Sequence, residues 1–206
     1  VARVQHRLAV RVHLGVAGLR RILKPDGVIT LEFPHLAKLI EGNQFDTIYH
    51  EHFSYFSLHT VAQILAAHGL KVFDVEELRS HGGSLRVFAR HAADTSRPVT
   101  ERLLKLRAEE EAKGYGKLET YTRFEEQVRE TKRKILEVLI EAKRNGKRIV
   151  GYGAPGKGNT LLNYCGIGPD LVRFTVDKSP HKQGRLLPGS RIPIHAPERL
   201  REARPD

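Results

Sequence analysis

Val28-Ile29-Thr30-Leu31-Glu32-Phe33 is the stretch that decides the fold, because it is rich in β-branched residues and almost continuously apolar. Such a run is typical of a strand buried in a parallel sheet, and Pro34 ends it. The preceding turn, Lys24-Pro25-Asp26-Gly27, stops a short helix. The apolar residues of that helix share one face: Val16, Leu19, Ile22 and Leu23. A helix, a tight turn and a buried strand in this order predict an α/β fold.

A capped helix and a hairpin come next. Ser57 can cap a helix over residues 58–67, and Gly69 stands where that helix would end. Residues 70–76 and 84–90 have the composition of two strands. They are joined by a short turn, Arg79-Ser80-His81-Gly82-Gly83. We therefore expect an antiparallel pair that ends the sheet.

Residues 100–145 are rich in charge and carry apolar residues at heptad-like spacing. This pattern predicts two helices broken near Gly114-Tyr115-Gly116. The charged positions would form the solvated face of a helical connector. A coiled-coil contact between copies is the alternative, and the sequence does not define an oligomeric state.

A glycine-rich turn opens the last part of the chain. The stretch from Arg148 predicts a short strand that runs into this turn, and residues 160–164 predict a helix. Between them, three glycines have the G-x-G-x-x-G spacing: Gly151, Gly153 and Gly156. The backbone amides at the start of such a helix can hold a pyrophosphate.

A second strand, residues 171–176, ends at Asp177, where a dinucleotide fold places its ribose-binding acid. The pattern predicts a small Rossmann-like βαβ unit. Residues 190–200 would add a turn and a helix, and we expect no third strand.

We predict three parts for the chain: residues 1–95, a partial catalytic domain; residues 96–146, a charged helical connector; and residues 147–206, an incomplete Rossmann-like domain.

Composition excludes several classes of protein. The 206 residues carry a formal charge of +11, but that charge is spread along the chain and aromatic residues do not interleave with it, so we expect no nucleic-acid partner. The single cysteine, Cys165, excludes an internal disulfide. No apolar run approaches the roughly 18 residues of a membrane span, and we predict a cytoplasmic protein. Because there is no methionine, we expect the chain to be a piece of a longer protein.

The densest group of proton-transfer side chains is Tyr49-His50-Glu51-His52-Phe53-Ser54-Tyr55, called the polar stretch below. It follows the end of a predicted strand, the edge at which open α/β sheets bind ligands. Histidine is suited to general acid and base chemistry near neutral pH. Metal binding by His50 and His52 is a weaker reading, because no third ligand has suggestive spacing; we predict no metal site.

Four separated segments carry a further signal: Leu31-Glu32-Phe33-Pro34-His35-Leu36, Gln44 to Tyr55, His81-Gly82-Gly83-Ser84-Leu85-Arg86, and Tyr152-Gly153-Ala154-Pro155 through Gly158 to Tyr164. In this order they resemble the S-adenosylmethionine-dependent sugar C-methyltransferases, which act on nucleotide-linked keto-deoxysugars. The resemblance implies the C-terminal part of a methyltransferase Rossmann-like sheet, a helical connector and a second small Rossmann-like unit.

The resemblance also implies that the loop that holds S-adenosylmethionine lies upstream of Val1, together with a zinc-binding N-terminal domain. The cofactor-binding residues are then unknown within this chain. We expect the chain alone to bind the donor weakly or not at all and to be inactive.

By resemblance, the catalytic residues fall on Tyr49, Glu51 and His52. His52 would remove a proton next to the sugar ketone, Tyr49 would stabilise the enolate oxygen, and Glu51 would orient groups or sugar hydroxyls. The enolate carbon would then attack the donor's methyl group. The resemblance gives a substrate-binding role to Lys157, Asn159 and Lys182, and the turn at His81 offers a further ligand contact.

The alternative is an NAD-type nucleotide-binding module or dehydrogenase fragment built on residues 151–177. Pro155 and the short helix leave little room for a full dinucleotide, and no hydride-transfer constellation surrounds the motif. A third reading is a non-catalytic fragment held together by its charged helices.

Overall fold

The computed structural model describes residues 2–50 and 52–206, with side chains from residue 11 onward. These residues form two compact units. Unit 1 comprises Val1–Gln44 and Phe53–Phe124, and unit 2 comprises Phe45–His52 and Glu125–Asp206. No helix in the described part of the chain is long and apolar enough to cross a membrane.

Unit 1 is a three-stranded antiparallel sheet with helices packed on its apolar face. Its elements are α1 (Ala2–Ile22), β1 (Ile29–Pro34), α2 (Leu36–Glu41), α3 (Leu58–Ala67), β2 (Leu70–Leu78), β3 (Ser84–His91) and α4 (Glu101–Ala112). The strand order is β1-β3-β2. The core joins side chains of the sheet to α1, α3 and α4: Val16, Leu58, Val61, Leu65, Leu85, Val87, Leu103 and Leu106.

Several predicted elements of unit 1 are confirmed. The helix over residues 58–67 has the predicted bounds, and the Ser57 side chain accepts a hydrogen bond from the Thr60 amide. Gly69 follows that helix with φ +68, a conformation that favours glycine. β2 and β3 pair antiparallel. The mixed α/β class is correct.

The place of β1 in a parallel sheet stays a prediction, because the described residues supply only an antiparallel neighbour for it. β1 pairs antiparallel with β3, which enters the sheet between β1 and β2. β1 and β2 therefore run in the same direction without touching as strands. An apolar run reports that a strand is buried, but it does not report the direction of its neighbour.

The first helix differs from the prediction at its end. Ile22 was expected on the buried face, but it is 80% exposed, whereas Leu19 and Leu23 pack against the core. Ile22 is the last residue of α1, where the helix gives way to the turn at Pro25.

A buried hydrogen-bonded pair joins three elements of unit 1. His35, just after β1, contacts Glu110 of α4 at 2.7 Å, and the side chains are 1% and 3% exposed. Glu110 also accepts hydrogen bonds from the amides of Leu58 and His59 at the start of α3. Burial raises the pKa of Glu110, but the hydrogen bonds from His35 and the two amides outweigh it and hold the pKa below its ordinary value of 4.5.

The charged segment contains two helices, as predicted, α4 and α5 (Leu118–Arg144), with the break at residues 113–117. Its charges are not all solvated. Glu110 is buried, because a carboxylate that accepts several hydrogen bonds can lie inside a protein.

Unit 2 is built on three short parallel strands. Its elements are the second part of α5, β4 (Gly151–Tyr152), α6 (Gly156–Cys165), β5 (Thr175–Val176), β6 (Ile194–His195) and α7 (Arg199–Ala203). β4 pairs with β5, and β5 pairs with β6. The core includes Cys165, Ile167, Val172, Leu187, Ile192 and Ile194, with Ile135 and Leu139 of α5 packed against it.

Two predictions for unit 2 are wrong. The helix after the glycine-rich turn begins at Gly156 instead of residue 160, because the amide of Asn159 already bonds the carbonyl of Pro155. A third strand, β6, is present where only a turn and a helix were expected. Two residues suffice for β6, and so short a strand leaves no periodic pattern in the sequence.

The division at residues 95 and 146 stays a prediction. The compact units differ from it in two places, since α4 packs in the core of unit 1 and residues 45–52 belong to unit 2.

Replacing Glu110 with alanine should lower the free energy of unfolding by about 3–5 kcal/mol, because His35 and two amides lose a buried partner. Glu109→Ala is the matched control, since Glu109 is the adjacent residue and its side chain is 42% exposed. That change should cost about 0.5 kcal/mol or less. Denaturant unfolding of both variants measures the difference, and equal losses would contradict a structural role for the pair.

Candidate active site

The first half of the polar stretch is a compact series of turns in unit 2. A 3-10 turn, Phe45–Thr47, precedes it, and Phe45 packs edge-on against the ring of Tyr164 in α6, with 5.2 Å between ring centres. The amide of His52 then bonds the carbonyl of Tyr49 at 3.0 Å. The buried Phe45 thus fixes the start of the stretch on α6.

Two of the three predicted catalytic residues lie side by side. The rings of Tyr49 and His52 meet edge to face, with 5.1 Å between their centres, and His50 is 5.9 Å from Tyr49 by the same measure. Glu51 lies outside the described residues, so its predicted role stays a prediction. No group of three or more potential metal ligands occurs among the residues that the structure describes.

Tyr49 lies against the amino end of α6. A β-carbon added at Gly156 would be 3.6 Å from the Tyr49 ring, which is ordinary contact distance. Because Pro155 has no N–H and the first helical bond comes from Asn159, the amides of Gly156, Lys157 and Gly158 have no acceptor within the helix. The aromatic ring therefore stands beside a helix end that favours anions.

A cavity of about 460 Å³ opens at this point of unit 2. Tyr49, His50 and the first residues of α6 line it. Its other lining residues include the polar or cationic side chains of His181, Lys182 and Arg185 and the apolar side chains of Leu186, Leu187 and Ile194. A lining that combines cations with apolar side chains suits a ligand that is anionic in one part and weakly polar in another.

The cavity brings together three of the predicted site residues, Tyr49, Asn159 and Lys182. Lys157 is the second residue of α6 and is partly buried. His81 belongs to unit 1, where it is exposed in the turn between β2 and β3 with φ +54.

Arg185 is a cavity residue for which the sequence predicted no site role. Its carbonyl accepts a hydrogen bond from the amide of Ile194 at 2.8 Å, and the amide of Gly184 bonds the carbonyl of Ile194 at 2.9 Å. These hydrogen bonds to β6 hold the loop that carries Arg185 beside the cavity. Gly184, with φ +75, was the available signal, because it marks a turn that could return the chain.

Asp177 holds the glycine-rich turn in place. Its carboxylate accepts hydrogen bonds from the amides of Ala154 and Ser179, each at 2.8 Å. Lys182 donates to the same carboxylate at 3.3 Å and to the carbonyl of Ala154 at 2.9 Å. These groups lower the pKa of Asp177, with the amides of Ser179 and Ala154 the main causes. An ammonium has three hydrogens, so Lys182 retains one for a ligand.

Comparison with known proteins gives this geometry a family. Residues 79–206 match the profile of the C-methyltransferase C-terminal domain. The chain belongs to the C-methyltransferase family. C-methyltransferase NovU of Streptomyces niveus is 42% identical over 195 residues, which are 95% of this chain and 46% of NovU. The chain thus spans about half the length of this curated relative.

Family membership agrees with the resemblance carried by the four sequence segments, and it does not favour a dehydrogenase. The structure adds a physical reason. A dinucleotide fold needs a free acid at the end of its second strand for the ribose, whereas Asp177 is committed to the turn.

The same observation bears on S-adenosylmethionine, the methyl donor that the family implies. A donor site needs a glycine-rich turn and a free acid. At the turn of Gly151–Gly156, the acid is Asp177, and its carboxylate already accepts a hydrogen bond from the amide of Ala154. This turn does not fit the donor by that criterion, so we assign it no step in which the methyl group moves.

Asp177→Asn should lower the free energy of unfolding at pH 7 by about 1–2 kcal/mol, because the turn loses charge-assisted hydrogen bonds. Since the folded pKa of Asp177 is depressed, its stabilisation is present above the ordinary value of 3.8 and is lost as the pH falls through the folded pKa. The difference between wild type and variant should therefore narrow below about pH 4.

Thermal unfolding followed by circular dichroism at pH 7 and pH 3 measures both effects. Asp170→Asn is the control, since Asp170 is an exposed aspartate of the same unit. If the difference in stability between wild type and Asp177→Asn is the same at both pH values, the assigned role of the Asp177 carboxylate is contradicted.

Proposed function

We propose that the protein containing this chain transfers a methyl group to a carbon next to the ketone of a nucleotide-linked deoxysugar, after base-catalysed enolisation. One observation carries the proposal. Tyr49, a phenol suited to holding an enolate oxygen, lines the same cavity as the anion-favouring start of α6 and the cations of Lys182 and Arg185.

The phosphates would bind at the cationic side. The free amides at the start of α6 and the helix dipole attract anions, and Lys182 and Arg185 add positive charge. Lys157, in the first turn of α6, adds a cation to the same helix end. A diphosphate would therefore be oriented before any chemistry takes place.

The sugar would lie against Tyr49 and the apolar side chains that line the cavity. A deoxysugar has fewer hydroxyls than an ordinary sugar, and Leu186, Leu187 and Ile194 provide an apolar surface. Asn159 Oδ1 is buried and has no hydrogen-bond partner among the described residues. A ligand hydroxyl that donated to this oxygen would relieve the cost of leaving it unpaired.

His52 is the proposed base and Tyr49 the group that stabilises the enolate. A carbon next to a ketone becomes nucleophilic only after it loses a proton, and an imidazole can accept one. The ring contact between Tyr49 and His52 keeps the two groups next to each other. His52 could therefore accept the proton while Tyr49 donates a hydrogen bond to the developing oxyanion. Glu51 is proposed to orient a sugar hydroxyl. His81 is proposed as a further ligand contact.

The relative supports the reaction class. NovU is named a C-methyltransferase, and the alignment with it covers almost the whole of this chain. S-adenosylmethionine is the donor implied by the family, and its site is proposed to lie upstream of Val1. We propose no nucleic-acid partner.

Calorimetric titration of the chain with S-adenosylmethionine, NAD and a thymidine-diphosphate sugar should detect binding of the nucleotide sugar and weak or no binding of the other two. Arg185→Ala should weaken nucleotide-sugar binding about tenfold through the loss of one charge-assisted contact. The matched control is Arg173→Ala, since Arg173 is an exposed arginine of unit 2 outside this cavity. Binding of NAD alone would refute the proposed function.

The base is tested by exchange of the sugar's α-proton with solvent deuterium in the protein that contains this chain. His52→Ala should abolish the exchange, because no other group is assigned to remove the proton. His68→Ala, which changes a histidine at the end of α3, should leave it intact. Exchange retained in His52→Ala would exclude His52 as the base.

A further inference from the structure

The buried pair of His35 and Glu110 in unit 1 has no part in the chemistry above. His35 follows the carboxyl end of β1 directly, and Glu110 reaches it from α4, 75 residues later in the chain. Their contact at 2.7 Å is sealed from solvent. A buried pair of this kind is a weak source of stability, since desolvation offsets attraction. What its directional bonds supply is a fixed geometry.

Glu110 fixes the start of α3. Its carboxylate bonds the amides of Leu58 and His59 at 2.9 and 2.8 Å. Ser57, fully buried, takes the next free amide, that of Thr60. The first turn of α3 is therefore held by a side chain from another helix as well as by its own cap.

The backbone next to His35 fixes the residue before that turn. The amide of Leu36 bonds the carbonyl of Phe56 at 3.0 Å, and His35 forms a β-bridge with Phe56. The amide of His35 bonds the carbonyl of Gly83 at 3.0 Å. Phe56 is the residue that directly follows the polar stretch.

These contacts enclose one short segment, residues 56–59. His35 and Leu36 hold its beginning, and Glu110 holds its end. The hydrogen bond between His35 and Glu110 connects these two sets of contacts. His35 Nδ1 is buried and has no hydrogen-bond partner in the described part of the chain, so Glu110 provides the side-chain hydrogen bond that orients the ring.

We infer that His35 and Glu110 are a positioning pair, which holds the downstream end of the polar stretch so that His52 and Tyr49 keep a reactive arrangement. Neither residue touches the substrate. The inference extends the proposed function and rests on it for the catalytic readout, but not for the structural one.

The structural readout is hydrogen–deuterium exchange followed by mass spectrometry. Glu110→Gln keeps the size of the side chain, but its amide nitrogen cannot accept a hydrogen bond. Peptides covering residues 53–59 should exchange on the order of tenfold faster, whereas those of β2 and β3 should be unchanged. His35→Gln, which keeps a donor toward Glu110, should produce a smaller change in the same peptides.

Arg102→Ala is the matched control. Arg102 is also in α4, and it forms an ion pair with Asp74 of β2. It lies at the other end of the helix from Glu110. Its loss should leave exchange in residues 53–59 at the wild-type rate. If both variants accelerate this segment equally, or if neither does, the inference is overturned.

The catalytic readout is the rate of α-proton exchange in the protein that contains this chain. Glu110→Gln should lower kcat by roughly 100-fold with little change in KM, because a small misplacement of the base affects the reaction more than binding. Arg102→Ala should retain the wild-type kcat. Faster deuterium exchange in residues 53–59 with an unchanged kcat would overturn the positioning role.

A wild-type protein without α-proton exchange would count against the proposed function alone. The hydrogen–deuterium experiment would still decide whether the pair holds the segment.

Discussion

The carboxylate of Glu110 accepts hydrogen bonds from one side chain and two backbone amides that belong to different elements of unit 1. No other described interaction of the unit connects the end of β1, the start of α3 and α4 at one atom group. An ionised carboxylate in the interior is costly unless it is paired and hydrogen-bonded, and here both conditions are met. The consequence is that the chain leaving β1 and the chain entering α3 have a defined separation. The polar stretch is part of the loop between them.

In unit 2, hydrogen bonds likewise hold a turn in a defined position. Asp177 and Lys182 brace the turn that carries Ala154, so the amino end of α6 is presented in a fixed position. Only glycine tolerates the backbone of Gly153, with φ +96, at low cost. The acid that a dinucleotide fold would offer to a ribose is used here as a structural group. The same arrangement therefore favours anion binding by backbone amides and disfavours the dehydrogenase reading.

The proposed chemistry follows from what these two arrangements leave available. Tyr49 lies beside the anion-favouring helix end and in contact with His52. A phenol can donate a hydrogen bond to an oxygen of the substrate while an adjacent imidazole accepts a proton from it. The cations nearby can orient the substrate's phosphates. Catalysis of this kind depends on the relative positions of the two groups. It therefore depends on the anchoring of the polar stretch, which contributes both groups.

The elements of the chain were largely determined by its sequence. Ser57 and Gly69 mark the ends of α3, the glycine break at residues 114–116 separates α4 from α5, and the hairpin of β2 and β3 follows its turn residues. These are local features, set by capping, backbone freedom and hydrophobic periodicity within a few residues. The four segments that resemble the C-methyltransferases are local in the same sense.

Only the tertiary structure decided which distant residues meet. The burial of Glu110 depends on His35, 75 residues away, and nothing in the charged pattern of α4 distinguishes it from its solvated neighbours. The antiparallel partner of β1, the short strand β6 and the resulting place of Arg185 likewise depend on pairing across the chain. The spacing that suggested a ribose-binding acid at Asp177 was real, but its hydrogen bonds to the turn gave that acid another role. A sequence pattern reports the environment a residue prefers, and only the packed chain determines which partner provides it.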